Sequence, residues 1–167
     1  EDPSGEHRYV HQTTYGMSER LLGAIIGIHG DDRGIMLPPQ IAPVQVVVIP
    51  IHARGRSEEV DRYAADAARE LREAGLRVHV DGRDLRPGNK YYHWELRGVP
   101  LRLEMGPRDL DGGKAVLVRR DDMEKTTLER ASLVEGVRKA LDELATYMMK
   151  AAGDMLDAGI QQPEGAD

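Results

Sequence analysis

The chain has 167 residues, of which 40% are hydrophobic and 31% charged, with a net charge of −6 and no cysteine. That length suits one ordinary domain, or one domain carrying a piece of another, and the apolar share excludes a wholly disordered chain. The lack of cysteine excludes disulfides and thiolate zinc sites and fits a reducing, cytoplasmic compartment. The acidic balance excludes a protein that coats nucleic acid indiscriminately, while leaving room for a local basic patch.

No stretch reaches the roughly 20 apolar residues that span a bilayer, so no membrane partner is expected. The N-terminal EDPSGEHRYV is polar and acidic, unlike a signal peptide, and its lack of an initiator Met suggests a start inside a longer protein. With no Phe and one Trp, a core must come from Leu, Ile, Val, Met and Ala.

In chain order, residues 8–15 (RYVHQTTY) alternate as a strand does and end at Gly16. Ser18 is placed to cap an apolar helix over residues 19–28, and the spacing of Gly23 and Gly27 within it suggests close packing against another backbone. HGDDRGIMLPPQIAP reads as a linker, with a domain boundary near Pro43 that separates residues 1–42 from 43–167. QVVVIPI (45–51) has the continuous apolar character of a strand buried on both faces. Ser57 would cap a helix whose apolar positions Val60, Tyr63, Ala67, Leu71 and Ala74 recur at helical spacing up to Gly75.

LRVHV (76–80) predicts a second strand, residues 88–96 a short helix closed by Gly98, and VPLRLEM (99–105) and KAVLVRR (114–120) two further strands joined by a turn, GPRDLDGG. A long helix over 132–156 carries Leu133, Val137, Leu141, Leu144, Met148, Ala152 and Met155 on one stripe, and the final QQPEGAD should fray. Strand–helix alternation implies an α/β fold, with a mixed, mostly parallel sheet flanked by helices.

Familiar catalytic templates are missing. The six histidines form no H-x-x-x-H pair, there is no G-x-x-x-x-G-K loop, the first strand is not followed by G-x-G-x-x-G, and there is no G-x-S-x-G. No metal site is expected. Arg20, in the first turn of a glycine-spaced helix after a strand, could aim its planar fork of donors at phosphate oxygens, or could be an ordinary surface arginine.

The string GMSERLLGAIIGIHGDDRGIMLPPQIAPVQVVVIP is similar to the third signature motif of class II aminoacyl-tRNA synthetases in its prolyl form. PGNKYYHWELRGVPLRLEMGPRDLDGGKAVLVRRD resembles the anticodon-binding domain of the same family, the prolyl-tRNA synthetases of archaeal and eukaryotic type. The likeness runs from Tyr9 to about Asp157. It implies that residues 1–42 are the last strand and helix of an antiparallel class II catalytic domain, and that the rest reads the proline anticodon.

By that resemblance Arg20 is the catalytic arginine that holds the terminal phosphate of ATP, with Ser18, Glu19 and Gln12 also on the ATP side. Thr14, Tyr15 and Gly16 would line the amino-acid pocket, although family members often carry Trp where this chain has Tyr15. Glu95, Arg108 and Asp109 match the residues that read the two guanines of the anticodon, with Tyr91 and Arg102 placed for stacking and phosphate contact. The types fit: a carboxylate accepts from the N1–H and N2–H of a splayed guanine, and arginine donates to O6 or phosphate. Without the resemblance, Glu95 and Arg108 would read as a surface ion pair of little consequence. Lys90, Arg97, Arg102, Arg108, Arg119 and Arg120 could together form a local basic face.

The resemblance further implies ATP and magnesium for the whole enzyme, L-proline and the proline tRNA as its other partners, and a homodimer. The first two class II motifs and a cysteine-bearing zinc domain, expected of such an enzyme, lie outside this sequence, so this segment alone should not form prolyl-adenylate. The rival readings are a non-catalytic RNA-binding module with the anticodon-domain fold, and an α/β metabolic enzyme supported only by strand order.

Overall fold

In the computed structural model, residues 4–7, 9, 11–53 and 55–160 are described. The first strand, β1 (Val46–Pro50), is buried along its whole length because it lies inside the sheet, with a neighbour on each side and helices over both faces. It pairs in parallel with β2 (Val78–Val80), aligning Val46 with Val78, and with β3 (Leu101–Met105), aligning Val46 with Leu101. β4 (Lys114–Arg119) runs antiparallel to β3, and β5 (Lys125–Glu129) antiparallel to β4. The sheet order is β2-β1-β3-β4-β5, a mixed sheet in which only β4 runs against the rest.

One face is covered by α2 (Ser57–Glu73) and α5 (Leu133–Gly159). On α2 the buried positions are Val60, Ala64, Ala67, Ala68 and Leu71, and its small alanines let the helix approach the strands closely. From α5, Leu133, Val137, Ala140 and Leu141 join Val46, Val48, Leu101, Leu103, Met105 and Leu117 in the main core. The other face carries α3 (Pro87–Leu96), whose Tyr91 and Trp94 pack on Val47, Ile49 and Val99. A short helix, α4 (Pro107–Gly112), follows β3.

Several expectations need correction. Of the strand expected at residues 8–15, Arg8 and Val10 lie outside the described residues, and Tyr9 and residues 11–15 form none; no neighbouring strand satisfies their backbone groups. The expected frayed tail, residues 161–167, also lies outside them. Helix α1 (Arg20–His29) forms, but nothing lies within 4 Å of where a side chain on Gly23 or Gly27 would begin, so no backbone packs there. Ser18 and Ser57 are not the caps; Glu19 and Arg56 hold those positions without side-chain cap bonds.

GPRDLDGG is not a plain turn but contains α4, and β5 was missed because KTTLE has little apolar content. The apolar stripe of α5 outlasts its burial: Met148 is covered, whereas Met155 is 56% exposed.

The Pro-rich linker is docked rather than loose. Arg77 donates from Nε to the Ala42 carbonyl at 2.8 Å and from Nη2 to those of Pro39 and Gln40 at 2.9 and 3.1 Å. Met36 packs with Leu144 and Met148 of α5.

Candidate nucleic-acid interface

Strand β3 alternates in the sense a half-covered sheet requires. Leu101, Leu103 and Met105 enter the main core, while Arg102 and Glu104 point to the opposite face, under α3. Tyr91 and Glu95 sit one turn apart on α3 and so share a flank. That helix is held at its inner side by Asp81, just beyond β2. The buried Asp81 carboxylate accepts from Arg83 Nε and Nη2 at 2.8 and 2.6 Å and from Trp94 Nε1 at 2.8 Å, and the buried Lys90 donates to the Asp81 carbonyl at 2.9 Å. The Arg83 guanidinium, followed by the Trp94 indole, holds the Asp81 carboxyl far below the usual carboxylate range despite its burial.

Arg102 is the hub of the outer flank. Its Nη1 donates to Glu95 Oε1 at 2.8 Å, its Nε donates to Glu104 Oε1 at 3.0 Å, and its guanidinium carbon lies 4.1 Å from the centre of the Tyr91 ring. Lys125 at the start of β5 donates to Glu104 Oε2 at 2.7 Å, so two carboxylates face two cations. Burial, then the neighbouring Glu104, pushes the Tyr91 phenol up to about 12.

Glu95 is only 7% exposed. Its second oxygen takes no hydrogen bond from the described residues. Since no buried side-chain nitrogen or oxygen among them lacks a partner, that oxygen reaches solvent. The arrangement is a carboxylate clamped on one side with an acceptor open on the other.

Arg108 and Asp109 do not join this cluster. They sit on α4, beyond the end of β3. Gly106 lies four steps along the chain from Arg102, which at strand spacing is roughly 13 Å. Asp109 Oδ2 accepts the Gly106 N–H at 2.8 Å and thereby caps α4. Arg108 is exposed and makes no ion pair among the described residues. Arg56 grips Asp111 with both Nη atoms, at 2.9 and 2.8 Å, pinning α4 to the start of α2. The alternative reading of Glu95 and Arg108 as an ion pair is not met; Arg102 is the partner of Glu95.

The expected basic face is much smaller than its sequence suggested. Lys90 and Arg120 are buried, at 2% and 3% exposure, and cannot meet RNA. Arg119 is engaged by Asp121 and Glu143 at 2.5 and 3.1 Å, and Arg102 by two glutamates. Arg97 and Arg108 remain exposed. The sequence reading also missed Glu104 and Lys125, although LRLEM, with Arg102 and Glu104 on one face of a strand, carried the signal for the first.

Gln12, Thr14, Tyr15, Gly16, Ser18, Glu19 and Arg20 are all exposed, in an irregular segment leading into α1. Gln12 Nε2 donates to Thr14 Oγ1 at 3.4 Å, and the Arg20 guanidinium has no partner among the described residues. Arg20 is thus exposed, with its fork of donors free among the described residues. No group of three or more His, Asp or Glu suited to a metal ion occurs among the described residues.

A family described as the anticodon binding domain matches residues 45–140, the whole sheet together with its helices as far as the first turns of α5. The chain belongs to the anticodon-binding domain family. Among curated relatives, it is 58% identical to a proline–tRNA ligase of Thermococcus kodakarensis over 97% of its own length and 34% of the relative's. Identity is 52% to the proline–tRNA ligase of Pyrococcus abyssi, covering 98% of the chain and 34% of that protein. It is also 52% to that of Methanosarcina mazei, covering 96% and 33%. The chain thus spans about a third of the length of the curated relatives it matches. No helix among the described residues is long and apolar enough to cross a membrane.

Proposed function

We propose that this anticodon-binding domain is the tRNA-reading part of a proline–tRNA ligase, with residues 1–42 belonging to the catalytic unit and residues 43–167 to the reader. The observation that carries the reading is Glu95, a buried carboxylate with one oxygen fixed by Arg102 and the other open, on a domain that closely resembles the corresponding third of proline–tRNA ligases. A fixed acceptor of that kind suits the N1–H and N2–H edge of a guanine splayed out of an RNA loop. Tyr91, stacked against Arg102, offers a ring face or edge to such a base, and Lys125 and Arg108 offer cations to phosphate. Asp109, on α4 beyond the end of β3, offers the carboxylate oxygen not used by the Gly106 N–H as the acceptor for the second guanine, with Arg108 beside it.

In the whole enzyme the substrates are L-proline, ATP with magnesium, and the proline tRNA, and the resemblance carries a cytoplasmic homodimer with it. ATP supplies the activated phosphoryl centre that the proline carboxylate attacks. The chain's own contribution there is limited to the 11–20 segment: the partnerless Arg20 guanidinium suits a terminal phosphate, with Ser18, Glu19 and Gln12 beside the nucleotide and Thr14, Tyr15 and Gly16 beside the proline.

The test uses the full-length protein and proline tRNAs with each anticodon guanine replaced in turn. Glu95→Ala and Asp109→Ala should each reduce charging while sparing proline-dependent ATP–pyrophosphate exchange. Each variant should also lose discrimination at a different one of the two positions. Arg20→Ala should do the reverse, depressing exchange and leaving tRNA binding intact. Exchange lost with Glu95→Ala makes that residue structural; exchange unchanged with Arg20→Ala removes the catalytic assignment and favours a pure RNA-binding module.

A further inference from the structure

Arg120 is an anomaly, a guanidinium with 3% exposure just past the end of β4, a strand inside the sheet. It is held by two segments that the functional reading treats separately, residues 31–34 and the end of α3. Its Nη1 and Nη2 donate to the two oxygens of Asp31 at 2.8 and 2.5 Å, Nη2 also reaches the Gly34 carbonyl at 3.1 Å, and Nε reaches the Glu95 carbonyl at 3.4 Å. Asp31 and Gly34 form an isolated bridge just after α1, the helix that begins with Arg20. Glu95 is the proposed guanine acceptor. One side chain therefore ties the segment leaving the catalytic helix to the residue that reads RNA.

The surrounding backbone is fitted as closely. Gly34 has φ +134°, and a side chain there would begin 2.6 Å from the Leu96 Cα. Gly98 has φ +69°, and a side chain there would begin 2.8 Å from the Ile35 carbonyl oxygen. Leu37 N–H donates to the Gly98 carbonyl at 3.2 Å. Residues 31–37 are thus seated against the end of α3 with no slack, and Arg120 is the one charged contact that fixes the seat. Its paired donors impose direction as well as attraction, which a lysine ammonium cannot do.

We propose that Arg120 is a positioning residue, paired with Asp31 to lock the anticodon-reading end of α3 to the catalytic helix α1, so that reading the anticodon delivers the far end of the same RNA in register. This rests on the proline–tRNA ligase reading. A tRNA is a stiff body held at both ends, and a rigid joint between its two binding surfaces makes the second engagement effectively intramolecular. Loosening the joint leaves each surface intact and spoils their relation. The fixed seat also lowers the Asp31 carboxyl to about 2, chiefly through the Arg120 hydrogen bond, so the pair stays ionised across the working pH range.

The experiment uses the full-length protein with Asp31→Asn, Arg120→Lys and the double variant. Asp31→Asn keeps the shape and one acceptor oxygen for Arg120 while removing the charge, and because it leaves a buried guanidinium without a carboxylate, the folding of each variant is checked by its thermal melt. Expected are a fall of about 10- to 100-fold in kcat for charging the proline tRNA, a KM for tRNA within about twofold of wild type, and unchanged proline-dependent pyrophosphate exchange. The double variant should be no worse than the poorer single one, because both remove the same joint. Unchanged charging overturns the proposal, as does a parallel fall in exchange and charging, which marks a merely structural pair. If the wild-type protein shows neither exchange nor charging, the ligase reading itself fails and takes the proposal with it. If it charges normally and the variants match it, the coupling alone is wrong.

Discussion

Replacing Arg102 with Ala tests whether the reader is built on a buried charge network or on a decorative surface pair. Arg102, Glu95 and Glu104 have side chains only 10%, 8% and 5% exposed. Without Arg102, Glu104 keeps Lys125, but Glu95 is left as a buried carboxylate with no cation. Breaking a buried pair in this way costs about 3–5 kcal/mol, a large part of a typical total stability of about 5–15 kcal/mol. For a chain of this size, at about 2–4 °C per kcal/mol, the melting temperature should fall by about 6–20 °C. The control is Lys125→Ala: that side chain is 62% exposed, and Glu104 retains Arg102, so about 1 kcal/mol or less should be lost. Urea unfolding with circular dichroism gives both values from the midpoint at constant slope. An Arg102→Ala midpoint indistinguishable from that of Lys125→Ala would mean that Glu95 is solvated in solution and that the clamped geometry is not maintained.

The chain should lose stability as pH falls below about 4, because the unfolded Asp81, with an ordinary pKa of about 3.9, takes up a proton that the depressed folded carboxyl refuses. The Asp81 contribution is complete above that value, so Asp81→Asn should flatten the acid limb of a stability–pH curve, and an unaltered limb counts against the Arg83–Trp94 clamp. Gly34→Ala should destabilise by at least about 1–3 kcal/mol in thermal melts, since neither its dihedral nor the Leu96 backbone can yield. Gly153→Ala, within exposed α5 and with open space around it, should instead stabilise by about 0.5–1 kcal/mol.

Most of the architecture was legible in the sequence because it obeys local rules. The unbroken apolar run of β1, the helical spacing of Val60, Ala67 and Leu71, and the α5 stripe from Leu133 to Met148 each have one natural partner, the common core. What failed depended on neighbours. β5 is a strand because β4 hairpins back onto it, which KTTLE does not announce, and the strand expected at residues 8–15 has no strand beside it among the described residues. At the site, Glu95, Tyr91 and Arg102 lie in contact on the α3 side of the sheet. The pairing of Glu95 with Arg102 rather than Arg108 follows from β3 alternation, but the burial of Lys90 and Arg120 follows from three-dimensional enclosure. A list of basic residues in sequence therefore overstates the positive surface: Arg102, Arg119 and Arg120 are held by carboxylates, and Lys90 is buried against the Asp81 carbonyl.

Under the proposed function, that enclosure bears on how an acidic chain would recognise RNA. With a net charge of −6, the chain has little long-range attraction to offer. Two of its carboxylates, Glu95 and Glu104, are held where an approaching phosphate would be repelled unless their charge were already matched. Arg102, buried, and Lys125, at the surface, perform that matching, which leaves Glu95 with hydrogen-bonding direction and little net field. A reader of this kind gains selectivity from fixed acceptors rather than affinity from charge. It depends, for binding strength, on contacts elsewhere along the same RNA, and the rigid seat between residues 31–37 and α3 is the feature of this chain best suited to making those distant contacts count.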